Sequence, residues 1–185
     1  MQSLQDQLQE IRNRSRELVD GLSPDELTRR PDPARWSIAE CLAHLNTIAG
    51  IYQPAIDKAI RRGKDEKVVG DGRFEVGFVG AFLRWLAEPP PKIRLRAPRN
   101  ILPPSEITDP GKVVSEFMRV QDGWERQIRE CGGLNLKKLK CQTPFPPMPP
   151  LRLAAPIPWM LAHQRRHLMQ AEKVKAEIAQ GGRQS

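Results

Sequence analysis

The chain holds three histidines, His44, His163 and His167. Two of them form the run His163-Gln164-Arg165-Arg166-His167, an HxxxH pair. On a helix, residues four apart lie on one face with Cβ atoms about 5–6 Å apart, so two imidazoles so placed can share one metal ion. Gln164 stands where an HExxH motif would carry its glutamate, so the motif supplies no general base. Two imidazoles from one helix and a third from elsewhere would give three neutral nitrogen ligands. That leaves one coordination position open, which is the pattern of a catalytic zinc-type site, where a water can be acidified to a pKa of about 7. Imidazole ligands suit Zn, Ni, Fe or Cu better than Mg or Ca. Spacing alone leaves the plainer alternative open: core histidines satisfied by hydrogen bonds.

The elements that must carry these side chains can be read from periodicity and caps. Leu4, Leu8, Ile11, Ser15, Leu18 and Leu22 repeat every three or four residues and predict a helix over about 3–22. Ser23-Pro24-Asp25-Glu26 is a capping box with proline at the first helical position, so a short helical turn follows. Ser37 and Glu40 form another box and open a second long helix, about 37–62, which Gly63 can end. Trp36 is placed to staple against Cys41, and Pro54 predicts a kink. His44 falls at the edge of this helix's apolar sector, near Ile48 and Ile51. Asp109-Pro110 opens a third helix, about 109–131, with Phe117, Gln121, Trp124 and Ile128 on one face. The fourth spans about 158–180. Met160, His163, His167, Ala171 and Val174 fall within one narrow arc of it, so both histidines of the pair sit in an apolar stripe. Buried imidazoles cost free energy unless something pairs with them. A bundle core, where facing helices meet, is a usual place for a metal site.

The expected fold is all-α, a four-helix bundle forming a single domain over 1–185. The connection from Gly63 to Thr108 is 46 residues long, which permits a crossover between the second and third helices. It should carry a short helix over Phe78–Leu86 and then an extended stretch at Ile93/Leu95. Fourteen of the 18 prolines lie between Pro89 and Pro158, and residues 133–157 read as an extended strap.

The net charge is +8 and the isoelectric point about 9.8. The cations are scattered, as in Arg12/Arg14/Arg16, Arg61/Arg62/Lys64 and Lys137/Lys138/Lys140, with no interleaved aromatics as stacking platforms. A solvated basic surface explains them better than nucleic-acid binding. Cys41, Cys131 and Cys141 form no CxxC pair, and such a count suits a reducing cytoplasm. No run approaches 18 apolar residues, so no membrane span and no membrane partner is expected.

Trp36-Ser37-Ile38-Ala39-Glu40-Cys41-Leu42-Ala43-His44-Leu45 resembles the start of the second helix in the DinB/YfiT-like metalloenzymes. Leu161-Ala162-His163-Gln164-Arg165-Arg166-His167 resembles that family's fourth-helix motif, and Leu22 through Pro31 matches its approach to Trp36. The resemblance implies an up-down-down-up bundle whose metal ligands are His44, His163 and His167. It implies a homodimer and a divalent ion, nickel or zinc first and iron after them. It also implies chemistry on a small molecule, with a low-molecular-weight thiol among the candidates. The DinB label is shared with an unrelated lesion-bypass polymerase, whose motifs this chain lacks.

Other residues have simpler roles. Cys41 lies one turn before His44 but packs at a capping position, and Glu40 is explained by its capping box. Arg165 and Arg166 could meet an anionic substrate, though a solvated helix face is the plainer account. No catalytic base and no organic-cofactor site can be named. Two functions compete: a metal-dependent enzyme of the hydrolase or thiol S-transferase type, and a non-catalytic helical bundle that binds a metal or ligand.

Overall fold

Apolar periodicity builds the molecule, and caps punctuate it. The computed structural model describes residues 3–92, 101–143 and 148–181. Its helices are α1 Leu4–Val19, α2 Pro24–Thr28, α3 Ile38–Asp65, α4 Gly77–Ala87, α5 Pro110–Glu130 and α6 Pro156–Gly181. A two-residue pair of strands, β1 Lys140–Cys141 and β2 Leu151–Arg152, runs antiparallel with Lys140 opposite Arg152. The fold is therefore mostly helical. The four long helices pack on one another: α3 lies against α5 and α6, and α1 also lies against α5 and α6. Among the described residues, no helix is long and apolar enough to cross a membrane.

Four of the helix starts, those of α1, α2, α3 and α5, have a local reason. Ser3, Ser23 and Ser37 each accept from the backbone three residues on, while Asp6, Glu26 and Glu40 return the bond to the cap. Asp109 caps α5 by accepting from the Lys112 amide at 2.8 Å. These bonds satisfy amides that the first turn of a helix leaves without partners.

The core gathers the expected stripes. Leu8, Ile11 and Leu18 come from α1, Ile38, Leu42, Tyr52 and Ile56 from α3, Phe117 and Trp124 from α5, and Leu161, Leu168 and Ala171 from α6. Three differences from the sequence reading matter. First, α3 does not stop at Gly63 but runs to Asp65. The missing side chain serves close packing instead: a Cβ there would come within 2.5 Å of the Leu139 Cδ1. Second, the strap after α5 is tied down. Val69 bridges Leu134, and the Leu153 amide donates to the Leu139 carbonyl at 2.9 Å. Third, α4 forms as expected, but Phe78 and Phe82 are on its solvent side, 89% and 52% exposed. The extended stretch expected at Ile93/Leu95 lies outside the described residues.

Candidate metal centre

Two helices bring the three histidines together. Ser37 fixes where α3 begins, and His44 falls almost two turns into that helix with 1% of its surface exposed. On α6, the four-residue spacing stacks His163 and His167, whose ring centroids lie 4.6 Å apart. The His44 ring lies 5.4 Å from that of His163 and 4.6 Å from that of His167. One ligand nitrogen from each ring can be chosen so that all three lie within 4.8 Å of one another.

A backbone group fixes the proton on His44. Its Nδ1 lies 2.6 Å from the carbonyl oxygen of Ile101. A carbonyl only accepts, so Nδ1 carries the hydrogen and Nε2 keeps its lone pair. That lone pair faces the Nε2 of His163 at 3.2 Å. Metal-binding histidines usually donate their other ring N–H in this way, which orients the ring and raises its basicity.

The environment keeps all three rings neutral. Burial pushes His44 below its ordinary pKa, against the opposing pull of the Ile101 carbonyl. His163 keeps an edge at the surface, yet dense packing lowers its pKa to about 3, with further help from His44 and the Arg166 guanidinium. His167 is held well below its ordinary value by burial, then by His163 and His44. Gln170, one turn on, acts the other way, but the Nδ1 of His167 stays buried without a hydrogen-bond partner.

These features fit a divalent cation. The imidazoles are in the protonation state that ligates, and His167 has a buried polar atom that hydrogen bonding does not satisfy. Zinc–nitrogen bonds of about 2.0–2.1 Å on a tetrahedral ion put two ligand atoms about 3.3 Å apart, close to the observed separation of the two Nε2 atoms. Three histidines this close could hold a metal ion; their identity does not choose which one.

The surroundings settle several other residues. Trp36 is half-buried against the site. Its ring stacks on His167 at 5.7 Å and 24° and lies tilted against His44 at 4.9 Å. Cys41 is fully buried, its thiol is pushed up to about 12 by burial, and it does not join the histidine cluster. Glu40 is occupied, accepting from the Ser37 amide and from two nitrogens of Arg30. Arg165 corrects the expectation of a solvated helix face. It is 9% exposed, holds Glu88 through two nitrogens and donates to the Gln7 Oε1 at 3.0 Å. Arg166 is half-buried and donates to the Leu86 carbonyl at 3.2 Å. The Ile101 carbonyl was invisible to sequence reasoning, because any residue type supplies that oxygen. Trp36 carried a readable signal, its place just before the cap, but the staple rule speaks only of Cys41 and says nothing of the two imidazoles it also meets.

Three comparisons bear on kinship. The family model described as the DinB superfamily matches residues 7–171. No curated protein matches the chain, and no solved structure matches it either. The match runs from α1 to the middle of α6 and includes all three histidines, and on it the chain belongs to the DinB superfamily.

Proposed function

We propose that this chain is a metal-dependent enzyme in which His44, His163 and His167 hold one divalent ion, zinc or nickel before iron. The observation that supports this reading is the convergence of three neutral imidazoles, two of them buried and the third, His163, keeping an edge toward solvent. Three ligands leave a position for a substrate or water, and the ion would act there as a Lewis acid that acidifies a water or a thiol. The reaction class is hydrolysis or thiol S-transfer on a small molecule, with a low-molecular-weight thiol as a natural co-substrate. The chain's own groups do the positioning. The Ile101 carbonyl holds the Nδ1 proton of His44 and so keeps the opposite lone pair turned inward. Trp36 walls the rings of His44 and His167. Arg166 places a positive charge near His163, where it would favour an anionic substrate group or a thiolate. No general base is assigned.

The up-down-down-up order, a single domain over 1–185, a homodimer and a cytoplasmic setting belong to the same proposal. The three cysteines, all free and buried, suit a reducing compartment. The competing reading, a non-catalytic bundle with a structural ion, differs at the fourth position. The test is to load the protein with Co²⁺ and titrate it with a small thiol while following the visible spectrum. A thiolate-to-metal band that saturates with thiol supports the enzyme reading. A four-coordinate spectrum indifferent to thiol and to pH favours the structural ion.

A further inference from the structure

Two surface features meet at the start of α4, and each is costly in water. The first is a cluster of cations. In the strand pair, Lys140 stands directly opposite Arg152, and both are exposed. Residues so opposed send their side chains to one face of the ladder, where like charges destabilise it. Arg62 joins them, donating to the Lys140 carbonyl at 3.2 Å, and Lys138 stands two residues earlier. Neighbouring Lys137 has Glu75 as its counter-ion. Among the described residues, no carboxylate pairs with the other four. The second feature is apolar. Phe78 is 89% exposed, and Phe82 and Trp85 52% each. They are spaced by four and then three residues, so they form one stripe along α4, and the rings of Phe82 and Trp85 stack at 5.9 Å. At about 150–250 Å² for each large aromatic side chain, the three present roughly 400 Å² of uncovered ring, a large patch for a monomer. The cluster and the stripe adjoin: the Arg152 Nη1 lies 3.8 Å from where a Gly77 Cβ would stand, one residue before Phe78.

We propose that this face docks on the surface of an anionic bilayer, with α4 lying flat, its aromatic stripe in the acyl boundary and the cations of the strand pair over the headgroups. Rings bordered by cations are what an element lying in the plane of a bilayer presents. Each cation near an anionic leaflet adds to the attraction, and the rings fix the depth. Trp85 suits the boundary, since its ring is apolar and its N–H polar. The other side of α4 is taken up by the bundle, where a Cβ on Gly80 would come within 2.7 Å of the Ala155 Cβ. The cations therefore come from the strands beside the helix rather than from its far side. At 11 residues α4 is too short to cross a bilayer, and no described helix is long and apolar enough to do so. That excludes a span and not a surface contact. The net charge of +8 draws the chain toward an anionic surface, and the stripe decides which face arrives. A second copy of so basic a chain would bring no surplus of negative charge to the cations. The proposal rests on no part of the metal reading, and its test measures lipid binding rather than metal.

The test is co-sedimentation of the full chain, at physiological salt, with vesicles of phosphatidylcholine alone and of phosphatidylcholine mixed with phosphatidylserine. The native protein should pellet with the mixed vesicles and stay in solution with the neutral ones. Phe82→Glu should weaken partitioning by at least about tenfold, and Arg152→Gln by about fivefold, both with unchanged far-ultraviolet circular dichroism. Arg119→Gln removes the same charge from the exposed surface of α5 and should leave partitioning nearly unchanged, because salt screens distant charges. Lipids brominated on their acyl chains should quench the tryptophan emission of the native protein. Trp85→Phe should still pellet but lose that quenching. A native protein that ignores phosphatidylserine vesicles overturns the proposal. Equal binding by Phe82→Glu also overturns it, since a basic surface alone then explains the adhesion. So does a vesicle-free mass that falls by half in Phe82→Glu, which would show a second copy covering the stripe.

Discussion

At the scale of residues, the centre predicts its own failures. On the proposed reading, replacing His163 with alanine would remove one of three ligands, and elemental analysis of the purified variant should find the stoichiometric metal gone. If the proposed ion is bound, a chelator should lower the melting temperature of the native protein, because an ion bound only by the folded state stabilises that state by mass action. Acid should act in the same direction. In the unfolded chain the histidines take protons near pH 6.5, whereas in the fold all three are depressed, His163 to about 3. Between those values the unfolded state binds more protons, so stability is full above about pH 6.5 and is lost as pH falls toward 3. A melting temperature that stays flat from pH 7 to pH 4 would contradict this. The HxxxH pair and its apolar stripe were legible because helical spacing is local. The acceptor for His44 was not, because it is a main-chain oxygen 57 residues along the chain. Nor was the burial of Arg165, whose partner Glu88 arrives on an element that periodicity cannot orient.

At the scale of elements, two glycines do work that their residue type alone does not reveal. Gly63 reads as a helix stop, but α3 continues because nothing in its backbone requires a stop there, while Leu139 from the following strap needs the room. Gly63→Ala should force that buried leucine aside and cost about 1–3 kcal/mol, the usual range for overpacking. Urea denaturation should show it as a lower midpoint with an unchanged slope. Gly80→Leu should have a sharper effect, since the obstruction is the Ala155 Cβ, which sits on the backbone and has no rotamer to escape into. Loss of α4 docking should then appear as faster amide exchange over Gly77–Ala87. The starts of α1, α2 and α3 were read well, since a cap and its reciprocal acid lie three residues apart. The tethering of the strap was not, because the bridge from Val69 to Leu134 joins distant segments with no pattern of their own.

At the scale of the whole molecule, charge and connectivity decide. Part of the positive charge is engaged in pairs, such as Arg12 with Asp122 and Glu125, Arg14 with Glu172, Arg35 with Glu177 and Arg126 with Asp57. Any affinity for DNA should therefore be non-specific, fall steeply as salt rises, and show no sequence preference at physiological ionic strength in a competition assay. The mostly helical class was legible because four long periodic segments leave little else to build. Where α4 sits was not, since its position follows from how a 46-residue connection returns to α6. That placement matters mechanically. Between the two imidazoles of α6 stand Arg165 and Arg166, one gripping Glu88 and the other the Leu86 carbonyl, both at the end of α4. One turn of helix is thus clamped from inside by its ring neighbours and from outside by the surface helix. Loosening the docking of α4, as Gly80→Leu should, is therefore expected to lower metal occupancy without touching a ligand, a loss that elemental analysis would read.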